Sequence, residues 1–208
     1  NGTLGGDKAD LELPASQKRL LEEIIKVGKP IVFLNVSGSC INLTRADEAC
    51  NAVLQVFYPG AEGGNAVADI LFGRASPSGK LPVTFYRSVE DLPDFRDYSM
   101  ANRTYKYFKG EPLYPFGHGL SYTKFSIADV CFDSRKATLT ITNEGEYDGS
   151  EVVKVFARDR NNSRLNCRLV GFRKIFLKRG ETARMQVDIC QEVMELFDDK
   201  SDIEFFIK

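Results

Sequence analysis

Val56-Phe57-Tyr58-Pro59-Gly60-Ala61-Glu62-Gly63-Gly64-Asn65-Ala66-Val67-Ala68-Asp69-Ile70-Leu71-Phe72-Gly73, followed by Arg74-Ala75-Ser76-Pro77-Ser78-Gly79-Lys80-Leu81-Pro82-Val83-Thr84-Phe85, reads as strand, turn, short helix, turn, strand. The apolar run from Val53 ends at Tyr58-Pro59-Gly60, a strong stop. Glu62-Gly63-Gly64 is expected to turn tightly where a Cβ would clash. Ala66, Val67, Ile70 and Leu71 recur at helical spacing, and Gly73 stands where a helix C-terminal glycine belongs. Ser76 to Lys80 forms the next turn, and Leu81 to Phe85 the next strand.

Upstream, Leu20, Leu21, Ile24, Ile25 and Val27 mark one face of an amphipathic helix that Gly28-Lys29-Pro30 ends. Ile31 to Val36 is continuously apolar and β-branched, the pattern of a parallel strand covered on both faces. Thr44 is expected to cap a short helix running to Ala49. Strand and helix in alternation imply an α/β unit.

From Arg87 to Thr123 the chain is rich in Asp, Tyr, Arg and Pro and loses all periodicity. Its aromatics (Phe95, Tyr98, Tyr105, Tyr107, Phe108, Tyr114, Phe116 and Tyr122) are too dense for a solvated tether and are expected to pin it to both neighbours. Beyond Phe125, Ala137 to Thr142 alternates with period two. Val152 to Ala157, Leu169 to Leu177, Met185 to Ile189 and Ile203 to Ile207 follow as strands, with Lys178 to Glu181 as a hairpin-like turn. This spacing predicts an antiparallel sandwich.

Four stretches, in order, closely resemble the second domain of glycoside hydrolase family 3. They are Gly5-Gly6-Asp7-Lys8 with Leu11-Glu12-Leu13-Pro14 and Gln17; Lys29-Pro30-Ile31-Val32-Phe33-Leu34; the 56–85 segment; and Tyr114-Pro115-Phe116-Gly117-His118-Gly119-Leu120-Ser121-Tyr122-Thr123. Thr142-Asn143-Glu144-Gly145, Gly149-Ser150-Glu151-Val152-Val153 and Leu169-Val170-Gly171-Phe172 resemble the fibronectin type III-like domain that follows it. The resemblance implies a partial α/β sandwich domain over 1–86, a parallel sheet with flanking helices. A wrapping linker over 87–124 and a fibronectin type III-like, immunoglobulin-like β-sandwich over 125–208 follow. Only about the last third to half of the family's parallel sheet is then encoded, so an exposed apolar edge or face is expected in the first half, filled by another chain. A homo-oligomer is one way to fill it.

Composition narrows the function classes. The 208 residues carry 43% apolar content and a net charge of −1, spread evenly over both halves. Neither a nucleic-acid face nor a membrane-surface stripe is implied, and no apolar run reaches the roughly 20 residues needed to span a bilayer. Cys40, Cys50, Cys131, Cys167 and Cys190 are odd in number and lack Cys-x-x-Cys spacing. They read as free, mostly buried thiols of a reducing compartment, hence a cytoplasmic location. Asn-x-Ser/Thr matches at Asn1, Asn35, Asn42, Asn102 and Asn161 read as chance; Asn35 ends an apolar strand, where a glycan would not fit.

A retaining glycosidase needs two carboxylates roughly 5–5.5 Å apart, one as nucleophile and one as acid/base. The resemblance implies a nucleophilic aspartate on an N-terminal barrel domain and an acid/base glutamate just before residue 1. No catalytic residue is therefore assigned to this chain. Asp7, Lys8 and Glu62 are supporting candidates that could orient loops near the sugar. Lys8 stands where the family has arginine, and lacks its bidentate geometry. For Glu62 the simpler reading is a turn carboxylate bonded to nearby backbone N–H groups.

Asp91, Asp94 and Asp97 lack the glycine and terminal glutamate of a calcium loop and read as solvated. His118, the sole histidine, reads as a packing residue. Arg158, Arg160, Arg164 and Arg168 read as a solvated basic face, with a weak polysaccharide or partner contact as the alternative. No metal or cofactor is implied. The expected reading is the C-terminal portion of a retaining, exo-acting β-glycosidase of β-glucosidase or β-xylosidase type. Its substrate would be an oligosaccharide or β-glycoside, and its partners the barrel and the rest of the α/β domain. The alternative is a non-catalytic carbohydrate-binding or scaffolding module, disfavoured by the absence of Trp.

Overall fold

The computed structural model describes residues 10–162, 164–198 and 200–208. An N-terminal α/β unit opens with helix α1 (Ala15–Ile25), then strand β1 (Val32–Asn35), helix α2 (Thr44–Ala49), strand β2 (Ala52–Gln55) and helix α3 (Gly63–Leu71). β1 and β2 pair in parallel, Val32 opposite Ala52 and Asn35 opposite Gln55. Asn35 is buried, and its Nδ2 donates to Ser37 Oγ at 2.9 Å and to Gln55 Oε1, which leaves no room for a glycan.

Several local expectations shift. α2 is capped at Leu43, because Leu43 O accepts Asp47 N at 2.8 Å and Asn42 Oδ1 accepts Thr44 N at 3.1 Å; Thr44 is the first helical residue. Gly63 and Gly64 lie in the first turn of α3 rather than in a free turn. A Cβ on Gly63 would sit 2.4 Å from Pro59 Cγ, whereas one on Gly64 would meet nothing. Leu81 to Phe85 is not a ladder strand. It runs against 114–118 with backbone bonds only at its two ends, near Leu81 and between Phe85 and Tyr114. Pro82 and Pro115 supply no N–H and fix φ, so the pairing does not extend.

β1 is not covered on both faces. Only β2 stands beside it among the described strands, and Val32, Leu34 and Val36 are exposed, Val36 at 59%. In α1 only Leu21 is buried; Leu20 at 60%, Ile24 and Val27 face outward. A patch of this kind drives association. Sedimentation of the chain should therefore depend on concentration, and it should bind an apolar dye. Leu20→Glu with Val27→Glu should suppress both while leaving the melting of the second unit unchanged, since exposed substitutions cost about 0.5 kcal/mol or less. A chain that is monomeric and dye-free before substitution would contradict this.

The second unit is an antiparallel sandwich of two three-stranded sheets. One has the order β3 (Phe125–Phe132), β4 (Lys136–Asn143), β7 (Thr182–Asp188). The other has the order β6 (Arg168–Leu177), β5 (Gly149–Asp159), β8 (Ile203–Ile207). A short helix α5 (Gln191–Met194) precedes β8. β4 alternates cleanly, pointing Ala137, Leu139, Ile141 and Asn143 inward against Val153, Val155, Val170, Leu177 and Val187. Each such aliphatic side chain stabilises the fold by about 1.5–3 kcal/mol.

The Lys178–Glu181 turn is not a hairpin, because β6 and β7 belong to opposite sheets. It is an inter-sheet corner, held where Gly180 N donates to Asn143 O at 3.0 Å and Asn143 N to Glu181 O at 2.9 Å. Among the thiols only Cys167 is buried; Cys40 and Cys50 are half-buried, and Cys131 and Cys190 are exposed. The expectation of mostly buried thiols fails because Cys131 lies on the outward-facing part of β3 and Cys190 in the turn before α5.

Residues 87–124 form a strap that crosses from one unit to the other and contains a short helix α4 (Thr104–Tyr107). Tyr105 and Phe116 stack at 4.1 Å, and both meet Phe156 of β5 edge-on at 6.1 and 6.3 Å. Tyr105 Oη accepts Leu169 N at 3.1 Å, and Asn166 Nδ2 donates to the carbonyls of Tyr105 and Phe108. Phe108 is buried against Tyr86. Phe95 and Tyr98 do not pin the strap; Tyr98 is 82% exposed. Tyr122 is held through its hydroxyl, which donates to Ile70 O at 2.8 Å, while its ring stays exposed.

Candidate functional site

Asp7 and Lys8 lie outside the described residues. Glu62 occupies the N-cap position of α3 and is exposed. Its Oε2 accepts from Asn65 Nδ2 at 2.6 Å, so its partner is a side chain and not the expected backbone N–H groups. Asp91 accepts the N–H groups of Arg87 and Ser88, Asp94 that of Arg96, and Asp97 that of Ser99. These carboxylates close local turns. Among the described residues no group of three or more His, Cys, Asp or Glu is arranged to hold a metal ion.

The chemically dense part of the chain is the junction where the α/β unit, the strap and β5 meet. Lys80, from the 76–80 turn, is almost buried and pairs with Glu151 of β5 at 3.0 Å, while its Nζ also donates to Gly119 O at 2.7 Å. Lys154, three residues further along β5, is 8% exposed and donates to Gly117 O at 3.1 Å. Burial lowers the affinity of Lys154 for its proton, and neighbouring Lys80 lowers it further. Gly119 permits the contact: a Cβ there would lie 2.1 Å from Gly79 O.

His118 stacks on Tyr114 at 5.0 Å, and burial beside Lys80 depresses its pKa. It is a packing residue facing two cations, and no carboxylate is bonded to it. Tyr114 donates its hydroxyl to Asp47 Oδ1 at 2.5 Å; burial and that carboxylate push the phenol well above its ordinary value. Ser76 and Ser121 hydroxyls lie 2.9 Å apart, and Thr123 Oγ1 donates to Asn143 Oδ1 at 2.5 Å. The junction holds backbone carbonyls and aligns two units. It contains no pair of facing carboxylates.

Arg158 and Arg160 are solvated as expected, but their charge is matched by neighbouring carboxylates. Arg158 pairs with Glu204 at 2.5 Å, and Arg160 reaches Asp202 at 3.7 Å and Glu204 at 3.4 Å. Arg168 lies over the Phe197 ring at 5.6 Å. Reading residues singly missed Lys80, Glu151, Lys154 and Asn143. A signal existed for Lys154: it interrupts the apolar run Val152 to Ala157, and 153–157 are buried without alternation because the core covers one face of β5 and the strap the other.

Fold and junction together define a class: a short parallel α/β unit strapped to a fibronectin type III-like sandwich. The sequence profile of the Glycosyl hydrolase family 3 C-terminal domain matches residues 2–122, and that of the Fibronectin type III-like domain matches 151–204. The chain belongs to glycosyl hydrolase family 3, as its C-terminal domain.

It is 40% identical to a xylan 1,4-beta-xylosidase of Xylanibacter ruminicola over 95% of the chain and 24% of that protein. It is 35% identical to a periplasmic beta-glucosidase of Salmonella typhimurium over 91% of the chain and 28% of that protein. The solved b-glucosidase of Erythrobacter marinus superposes with a TM-score of 0.80 at 33% identity, covering all of this chain (100%) and 30% of that one. The beta-glucosidase of Listeria innocua in complex with gluconolactone superposes with the same TM-score of 0.80 at 25% identity, over 100% and 33%. The chain thus spans about a quarter to a third of the length of these relatives. No helix among the described residues is long and apolar enough to cross a membrane.

Proposed function

We propose that this chain is the C-terminal portion of a retaining, exo-acting β-glycosidase that releases terminal glucose or xylose from oligosaccharides or β-glycosides. The observation that carries the reading is the family profile across 2–122, supported by β-xylosidase and β-glucosidase relatives along nearly the whole chain. The nucleophilic aspartate belongs to a barrel domain and the acid/base glutamate to the stretch just ahead of residue 1, both supplied in the same product or by another polypeptide. That barrel and the remainder of the α/β domain are the partners of the exposed faces of β1 and α1. The domain limits are 1–86, 87–124 and 125–208. Asp7, Lys8 and Glu62 steady the loops that border the sugar. The reaction uses protein carboxylates alone, without metal or cofactor. We place the protein in a reducing, cytoplasmic setting, from the odd number and the spacing of its five cysteines.

The test is hydrolysis of nitrophenyl β-glucoside and β-xyloside. The 208-residue chain alone should give no turnover above buffer, and a polypeptide joining it to a family 3 barrel and the rest of the α/β domain should give turnover. Turnover by the chain alone, abolished by mutating one of its own carboxylates, would place the catalytic pair within it and overturn the assignment.

A further inference from the structure

Between the strap and the β5–β8 edge lies a groove of about 810 Å³. That volume falls within the range of small-molecule sites, which combine aromatic walls with a few fixed polar groups. One wall is Phe206, stacked on buried Phe156 at 5.6 Å; the other is the Tyr105–Phe116 stack. At the rim, Glu204 accepts from both Arg158 and Arg160, so donors and acceptors are fixed side by side in one network. On the inner side, Thr84 keeps a buried Oγ1 with no hydrogen-bond partner.

From this geometry we propose that the groove binds a neutral oligosaccharide. A sugar hydroxyl both donates and accepts, which matches a paired guanidinium–carboxylate edge, while its C–H faces match aromatic walls. An anion would have to displace an existing partner, Glu204 from Arg158 and Arg160, Asn166 Oδ1 from Lys109, or the Phe206 ring from Lys208. Cations also lie near the rings: Arg158 and Lys208 are 5.7 and 5.5 Å from the centroid of Phe206. The choice of xylose or glucose chains as probes rests on the function proposed above; the groove chemistry does not.

The experiment is a calorimetric and NMR titration of the 208-residue chain with xylotriose, cellotriose and glucuronic acid. A trisaccharide should bind with a dissociation constant on the order of 1 mM, shifting resonances of Phe206, Arg160 and Lys208. Arg160→Ala, on an exposed side chain, and Glu204→Gln should each weaken binding about tenfold with melting curves that show an intact sandwich. Absence of binding up to the solubility limit would overturn the proposal. So would binding indifferent to both substitutions, or a preference for the uronate that collapses with salt. Hydrolysis by the barrel-joined polypeptide reads the function separately. Activity without groove binding refutes the groove alone, and groove binding without activity refutes the function alone.

Discussion

Replacing Phe116 with alanine lowers the melting temperature by roughly 6–12 °C and frees the two units from each other. Phe116 stacks on Tyr105 at 4.1 Å and meets Phe156 edge-on at 6.3 Å, so its ring bridges the strap and β5. Loss of a packed Phe ring costs about 3 kcal/mol where the site cannot collapse. At this chain length each kcal/mol moves the midpoint by about 2–4 °C. Tyr105 then loses its stacking partner, and the hydrogen bond from Leu169 N to its hydroxyl loses support. Small-angle scattering reports the second consequence as a larger radius of gyration. Phe116→Leu, which fills part of the space, should restore most of the loss. A Phe116→Ala chain that melts and scatters as before would mean that the Lys80–Glu151 pair and the strap's hydrogen bonds hold the units without the rings.

Asn143→Ala should unfold the sandwich at a still lower temperature, for a different reason. Asn143 is fully buried and uses its side chain completely. Its Oδ1 accepts from Thr123 Oγ1 at 2.5 Å and Gly145 N at 3.2 Å; its Nδ2 donates to Tyr147 O at 2.8 Å and Leu177 O at 3.1 Å. Alanine leaves several of these groups without a partner, at about 1–3 kcal/mol for each one that water cannot reach. The expected total, about 3 kcal/mol or more, is a large share of a typical stability of about 5–15 kcal/mol. Because Asn143 also anchors the corner between β6 and β7, the protection of Gly180 and Glu181 amides against hydrogen exchange should fall first. Asn143→Asp should be as damaging, since an acid cannot donate the two bonds that the amide makes. Equal stability of Asn143→Ala and wild type would show that the corner is held by its backbone bonds alone.

Sequence reading succeeded where residues follow a local period. β4 is legible because Ala137, Leu139 and Ile141 alternate, and α3 because Ala66, Val67, Ile70 and Leu71 share a face before Gly73. β3 was missed: its pairing slips between Ala128 and Cys131, Asp129 takes a φ of 51°, and the outward side chains break the alternation. The continuous apolar run of β1 reports two faces that need cover, and the exposed face expected of a partial sheet is the one that Val32, Leu34 and Val36 present. The junction was invisible for another reason. Lys80 meets Glu151 and Asn143 meets Thr123 only after the strap has folded back, and no spacing rule links positions so far apart. As for the supporting candidates, Glu62 could be picked out as a turn carboxylate, but its bond to Asn65 follows from α3 starting one turn earlier than its apolar pattern suggests.

The strap also sets an order of events during synthesis. Tyr105 and Phe116 leave the ribosome well before Phe156, the ring they settle on. Phe156 follows some forty residues later, and Phe206, Lys208 and the β8 edge about ninety residues later. At synthesis rates of about 5–20 residues per second, the strap waits on the order of ten seconds with its rings uncovered. In that interval the exposed apolar side chains of α1 and β1 have already been made and offer the same rings an apolar surface. A pause in translation after residue 124 would lengthen this exposure, and faster delivery of β5 would shorten it.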